Sequence, residues 1–600
     1  MDYETLPGLF ASASIKYPDR PALCAKEGGY YKTVTYSQAQ KKIDGFSRAL
    51  FRLGVRFGER VAIVVPNGPY WVITDMAAMM LGAVDVPLYS SLTSEQVKEI
   101  LIDSECRTIV LSGSDQFAKI RDIIAELPDM RTVITLEHPE TGLPGITTIS
   151  LDSAMSLGGQ MGYAEEKEFV ETTKRTKRSD LASIIYTSGT TGAPKGVALT
   201  HDNFLSNVEA IKRAINICDT DSHFSFLPLS HAFERMTGYY CMIASGAAIY
   251  YAQSMETITA DMKDVKPTIG VSVPRLFEKI QAGITKKINA APSFRQKLFH
   301  WGLEAGKLAY DPDNPGRNSA SVRLRLFFAK LLVHKKIAAA FGGRLRFFVS
   351  GGAPLCMETA VFLRSLGIKV LEGYGLTETS PVISFNLLED NRIGSVGKPL
   401  DNLEVKIADD GEILVKGPSI TKGYFNNAQA TSEVIDEKGW FHTGDIGRMD
   451  DGYIYITDRK KELLILSNGK NVAPQPLELK LRADEYISMA MVIGDKRNFV
   501  SALIVPDMDR LKNTVKKLGI EKSDIKELLK EPAVNSLMED RVAKAMKGFA
   551  RFEQVKKITL IPREFTQERG ELTPTLKLKR RVIFKEFSGD IETMYAKKIC

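Results

Sequence analysis

The sequence predicts an α/β protein, with a large N-terminal domain of βα subdomains followed by a small, mobile α+β C-terminal domain. Three observations predict it. Over roughly the first 180 residues, short apolar runs alternate with amphipathic stretches of helical period, the pattern of a parallel sheet covered by helices. The stretch Tyr186-Thr-Ser-Gly-Thr-Thr-Gly-Ala-Pro-Lys-Gly196 then sets a glycine- and hydroxyl-rich loop directly behind one such apolar run. Finally, a charge cluster at Asp458-Arg-Lys-Lys-Glu462 marks a shift to smaller, more lysine-rich elements. The boundary is placed there, giving domains 1–458 and 459–600; 600 residues are too many for one core.

Taken in order, Val61 to Val65 reads as a buried strand ending in the turn Pro66-Asn-Gly68, and Trp71 to Leu81 as a helix stopped by Gly82. Val84 to Leu88 and Thr108 to Leu111 are strands, Ser94 to Asp103 and Gln116 to Leu127 helices. Leu181 to Tyr186 is a buried strand, and Thr200 caps a helix from His201 to Ile215. Phe224 to Leu229 is expected to be a strand leading to Ser230-His-Ala-Phe-Glu-Arg235 and a helix. Thr268 to Val273 is a strand before a helix at Pro274; Leu345 to Ser350 and Lys369 to Glu372 are further strands, each ending in a glycine turn. Glu404 to Ile407 pairs with Glu412 to Lys416 across Asp409-Asp-Gly411, and Tyr453 to Thr457 alternates as a strand.

The basic insertion at 285–345 stands apart. From Arg317 to Arg346 it carries eight Lys or Arg and no Asp or Glu, interleaved with Phe327, Phe328, Leu331, Leu332 and Val333. As a helix this has the composition of a membrane-surface element, and equally that of a core-packing helix with a solvated basic side.

Several strand ends carry residues suited to anions and nucleotides. The glycines of the 186–196 loop allow close backbone approach, Thr187, Ser188, Thr190 and Thr191 offer hydroxyls, and Lys195 adds a cation: a phosphate cradle. It lacks the spacing of the nucleoside-triphosphatase P-loop. Gly351-Gly-Ala-Pro-Leu355 and Gly373-Tyr-Gly-Leu-Thr-Glu-Thr379 could sandwich a purine, with Glu378 a hard-oxygen ligand for magnesium and Asp445 an acceptor for ribose hydroxyls. His231 lies where α/β proteins place ligands, although a lone histidine is more often structural.

Composition narrows the field. A net charge of +7 is small for 600 residues and does not argue for nucleic acid. Six cysteines and seven histidines are scattered without ligand spacing, which fits a cytosolic compartment and disfavours a zinc site. The acidic N-terminus lacks an apolar signal core, and no window has the length of a spanning helix, so a soluble or peripheral protein is expected.

Together, YTSGTTGAPKG, GGAPL, GYGLTET, WFHTGD, YIYITDRKKELL and the late PTLKLKRR resemble, in order and separation, the adenylate-forming (AMP-binding) superfamily, from about Leu9 to Phe587. Within it, Leu227 to Arg235 and the basic insertion are most similar to long-chain fatty-acyl-CoA synthetases. The resemblance implies ATP-dependent conversion of a fatty acid to acyl-adenylate and transfer to coenzyme A, with Mg²⁺. It implies that Thr187, Ser188, Gly189, Thr190, Thr191 and Lys195 hold the β- and γ-phosphates. Glu378 and Thr190 would bind Mg²⁺, and Thr377 the α-phosphate. Gly352, Ala353, Pro354, Gly373, Tyr374 and Gly375 would enclose adenine, with Asp445 and Arg459 on the ribose. It puts His231 beside the carboxylate and makes Lys577, rather than nearby Lys579, the mobile catalytic lysine. Lys461 becomes the hinge and Gly469 the passage for the pantetheine arm. The alternatives are a ligase for a carrier protein or another acid, and a catalytically idle lipid-binding protein. Only 23 residues follow Lys577, so no fused carrier domain is expected.

Overall fold

The computed structural model describes residues 3–139, 141–187, 194–311, 314–460, 462–517, 522, 524–573 and 577–596. Two large sheets form the N-terminal part. In the seven-stranded sheet, Thr147–Ser150, Thr132–Thr135, Thr108–Leu111, Arg60–Val64, Val84–Pro87, Leu181–Thr187 and Lys195–Thr200 lie side by side, parallel except for the last pair. Its central strands are buried on both faces, and so read as continuous apolar runs. In the nine-stranded sheet, Ala248–Tyr251, Ser222–Ser225, Ile269–Ser272, Phe347–Ser350 and Val370–Gly375 form a parallel centre. Ligands gather at the carboxyl ends of such strands, and here those ends carry Phe226 to His231, Val273, Gly351 and Thr377.

The helix His201–Ala214 lies buried along most of its length. Thr200 and Asn203 form a reciprocal cap: Asn203 N–H donates to Thr200 Oγ1 (3.1 Å) and Thr200 N–H to Asn203 Oδ1 (2.9 Å). The Asn203 amide also donates to Pro418 O (2.8 Å) and Ile420 O (2.9 Å), so the cap ties a distant segment to the helix start.

Beneath the His231 turn sits Arg235, with no exposed surface. Its guanidinium pairs with Asp75 and, at 2.9 Å, with Asp85, and donates to Ser183 Oγ and Tyr240 OH at 2.8 Å each. The rings of Trp71, Phe204 and Tyr240 flank it at 5.2 to 5.5 Å. A buried charge survives only when it is paired and hydrogen-bonded; this one pins helix Pro69–Met80, two strands of one sheet and the His231 turn to each other.

A four-stranded antiparallel sheet (Glu404–Ile407, Glu412–Lys416, Phe441–Asp450, Tyr453–Arg459) follows. The C-terminal part packs Ile487–Ile493, Ser501–Pro506 and Lys557–Leu560 against helices Pro474–Arg482 and Pro532–Ala545. It meets the larger part through Arg275 Nη1 donating to Ser488 O (2.8 Å) and an ion pair of Lys480 with Glu358.

Two expectations change. The strand beginning at Ser222 ends at Ser225 rather than running to Leu229, because the Asn67 side chain replaces the ladder: it donates to Leu227 O and accepts from Leu229 N–H (2.9 Å). The segment Gly373-Tyr-Gly375 is strand, not turn. Its glycines admit the neighbouring Val382–Phe385 strand, for a Cβ on Gly375 would lie 1.8 Å from Pro381 O. The hairpin Pro21–Glu27/Tyr30–Thr35 was not anticipated.

Candidate active site

A cavity of about 1780 Å³ lies where the carboxyl ends of the nine-stranded sheet, Thr187 and Lys195 at the edge of the seven-stranded sheet and the C-terminal part converge. At its polar end, Thr187 and Lys195 face each other across an antiparallel register, with Thr187 Oγ1 donating to Lys195 O (3.4 Å). The intervening Ser188, Gly189, Thr190 and Thr191 lie outside the described residues, as does Lys461.

The segment 421–425 docks beside Lys195 through Ala198 N–H to Gly423 O (3.1 Å) and Phe425 N–H to Gly196 O (2.7 Å). That places the Tyr424 ring under the Lys195 ammonium (5.0 Å) and its hydroxyl on Glu378 Oε1 (2.8 Å). The Glu378 backbone carbonyl accepts from Thr421 N–H (2.8 Å), fixing the residue from both ends. One carboxylate oxygen is thus oriented by Tyr424 at the cavity wall. No cluster of three or more His, Cys, Asp or Glu exists among the described residues. Glu378, a carboxylate at the cavity wall oriented by Tyr424, fits Mg²⁺ in the manner of nucleotide sites, where one or two carboxylates bind and phosphate oxygens and water complete the shell.

Opposite, Tyr374 OH donates to Asp445 Oδ2 (2.6 Å) and Arg459 Nε to Asp445 Oδ1 (2.9 Å). Asp445 and Arg459 are register partners in adjacent strands, which is why residues 14 apart meet. Glu412 secures the strand at Gly444: it accepts from Gly444 N–H (2.9 Å) and Lys460 Nζ (3.0 Å). Gly352 takes a left-handed φ of 80°, and a Cβ there would meet nothing nearer than 3.9 Å, leaving a flat floor beside Gly373. Ala353 and Pro354 follow it but do not line the cavity, and Gly469 sits on a turn away from its wall.

Lys577 enters from the C-terminal part. Its N–H donates to Thr573 Oγ1 (3.0 Å), and Arg580, three residues on, is locked by Glu478 (2.7 Å) and Val492 O (3.2 Å). Lys577 is solvent-exposed and lines the cavity. Desolvation by the cavity walls, with the Arg459 charge adding, pushes its ammonium down to about 8 against the pull of Asp445, Glu462 and Glu378. His231 Nδ1 accepts from Phe233 N–H (3.2 Å), and burial, aided by Lys577, pushes its imidazole down to about 4, so it is neutral near pH 7.

Past His231 and Phe233 the wall turns apolar. Ile269 and Val271 pair in register with Phe347 and Val349, and Ile211, Ile215 and Met242 face them. Sequence reasoning missed this branch, along with Tyr424 and Arg235; its side chains have the same types and spacing as core residues, while Tyr424, in Lys422-Gly-Tyr424, follows a glycine without a recognisable chemical pattern.

Comparison with known proteins settles the family. Residues 10–425 match the model of the AMP-binding enzymes, and residues 461–599 that of the AMP-binding enzyme C-terminal domain. The chain belongs to the AMP-binding enzyme family. It is 34% identical over 581 residues to long-chain-fatty-acid–CoA ligase FadD15 of Mycobacterium bovis, covering 95% of this chain and 93% of that protein. It is 34% identical to the peroxisomal long chain acyl-CoA synthetase 6 of Arabidopsis thaliana (94% and 82% covered), and 30% identical to the human long-chain-fatty-acid–CoA ligase ACSBG2 (98% and 92%). The adenylation domain of a carboxylate reductase from Mycobacterium chelonae shares the fold at TM-score 0.77 and 22% identity, covering 100% of this chain and 92% of that one. A Mycobacterium tuberculosis fatty acyl CoA synthetase does so at 0.59 and 22%, covering 98% and 99%.

Proposed function

We propose that this AMP-binding enzyme is a long-chain-fatty-acid–CoA ligase, AMP-forming. The fatty carboxylate attacks the α-phosphate of ATP, giving acyl-adenylate and pyrophosphate; the coenzyme A thiol then attacks the acyl carbonyl, giving thioester and AMP. The observation that carries this reading is the single cavity in which an apolar branch ends at His231, Lys577 and the Glu378 loop. That is a receptacle for an amphiphile whose head must meet phosphate. No side-chain nucleophile is needed, since reactions of this kind are governed by positioning and charge neutralisation.

In this reading Thr187 to Thr191 and Lys195 cradle the β- and γ-phosphates, and Thr377 contacts the α-phosphate. Gly352 and Gly373 to Gly375 enclose adenine, with Ala353 and Pro354 behind Gly352 rather than on the wall, and Asp445 and Arg459 hold the ribose. Mg²⁺, held by Glu378 with Thr190, would neutralise phosphate charge. Neutral His231 donates to or orients the carboxylate, and Lys577 supplies a full positive charge as the pentavalent centre forms. The domains divide near 458/459, Lys461 is the hinge on which the residues beyond it swing out for the second half-reaction, and Gly469 lines the pantetheine path in the swung-out pose. No helix among the described residues is long and apolar enough to cross a membrane. We place the enzyme in the cytoplasm, working as a peripheral protein at a membrane that supplies its poorly soluble substrate.

Pyrophosphate release measured from acetate to oleate, with and without coenzyme A, tests this. The expected result is a maximum with long-chain acids and accumulating acyl-CoA. Pyrophosphate without thioester would move the acceptor to a carrier protein, and no pyrophosphate from any acid would overturn the reading.

A further inference from the structure

The basic insertion resolves into helices Ser293–Tyr310, Ala320–Ala329 and Lys335–Ala339, the last two joined by a π-helical turn at Lys330–His334. Val322, Ala329 and Val333 form the face that packs inward, Val333 seated over Gly302, where a Cβ would lie 2.7 Å from it. A surface helix ordinarily spends its apolar stripe on that contact. This one carries a second stripe. Leu324, Phe327, Phe328 and Leu331 stand at the i, i+3, i+4, i+7 positions of one helical face and are 59, 62, 44 and 54% exposed.

At about 100° per residue the second stripe is centred opposite the buried one, and Arg323 and Lys330 fall along one of its edges and Arg325 along the other. None of these three cations has an ion-pair partner among the described residues, and no acidic residue occurs between Arg317 and Arg346. An apolar ridge rimmed by unpaired, long cationic side chains is the geometry of a helix lying in an interface: the ridge enters the acyl region while arginine and lysine reach out to phosphate. A second copy of this chain fits poorly, because a two-fold contact through this face would set the basic rim against itself.

We propose that the Ala320–His334 ridge docks the enzyme flat on a bilayer surface bearing anionic lipids. This deepens the peripheral location proposed above by assigning the surface and the lipid charge, and its test needs no fatty substrate, so its failure is separable from failure of the ligase reading.

The test is co-sedimentation of the full chain with phosphatidylcholine vesicles, with and without phosphatidylserine, at low and high salt. Binding is expected only with phosphatidylserine and is lost at high salt. Arg323→Glu/Arg325→Glu/Lys330→Glu lowers the partition coefficient by at least about a hundredfold, at roughly fivefold per cation removed, with repulsion of the new carboxylates adding to it. Phe327→Ser/Leu331→Ser lowers it at least about tenfold through lost apolar burial. Both variants keep pyrophosphate release from soluble octanoate, which shows them folded. Equal wild-type binding to zwitterionic vesicles, no binding to either kind, or unchanged binding by the charge-reversed variant would each overturn the proposal. So would a dimer in sedimentation velocity that Phe327→Ser dissolves.

Discussion

Arg235 and the trio Arg323, Arg325 and Lys330 make an instructive pair of regions. Both set cations among aromatic and aliphatic side chains. Around Arg235 the guanidinium's own demands are met inside the protein: Asp75 and Asp85 supply the counter-charge, Ser183 and Tyr240 take further N–H groups, and Trp71 and Phe204 flank the guanidinium, while Asp85 Oδ2 and Trp71 Nε1 find no hydrogen-bond partner among the described residues. Around Phe327 and Leu331 the apolar surface is exposed and the neighbouring cations have no acidic partner among the described residues. Residue type does not separate the two; satisfaction of charge and surface does. The first region is scaffold, holding the His231 turn in place, and the second has the character of an interface.

Substitution separates them most sharply. Arg235→Leu leaves Asp75 and Asp85 buried without a counter-ion and is expected to destabilise the large domain by roughly 3–5 kcal/mol, read as a lower urea midpoint. Arg323→Leu is expected to stay within about 0.5 kcal/mol, as exposed substitutions do. Equal losses at both positions would erase the distinction.

A smaller effect separates Lys577 from both. Desolvation there lowers the ammonium to about 8, whereas Arg235 stays charged throughout the accessible range. The cationic form of Lys577 is present below that pH and lost above it. Adenylation kcat/KM, which reports the free enzyme, is therefore expected to fall as pH rises through about 8, while the second half-reaction from supplied acyl-adenylate shows no such limb. A flat adenylation profile to pH 10 or so would remove the lysine from that step.

Much of the fold was legible in the sequence because parallel strands buried on both faces must be apolar throughout: Arg60–Val64 and Thr108–Leu111 announce themselves. The Phe226 to Leu229 stretch read as strand for the same reason, and what ends the strand is the side chain of Asn67, some 160 residues away, which no local pattern contains. Gly373 and Gly375 read as turn residues, yet their missing Cβ atoms serve the approach of a neighbouring strand. At the site, loops of glycine, hydroxyl and charge stand out because such residues have few structural reasons to cluster. Ile211, Ile215 and Phe347 do not stand out, because a side chain lining an apolar channel and one filling a core are chemically alike. The exposed ridge was half legible: composition gave its basic and apolar character, and only the packing of Val322, Ala329 and Val333 shows which stripe is spent.

The most direct test of the central claim, that this cavity adenylates a fatty acid with Lys577 at the reacting phosphate, is Lys577→Ala assayed in each half-reaction. Loss of about 10²–10³ in acyl-adenylate formation, the cost of removing one preorganised charge-stabilising group, with thioester formation from supplied acyl-adenylate retained, is the expected result. Equal loss of both halves, or no loss of the first, would contradict it.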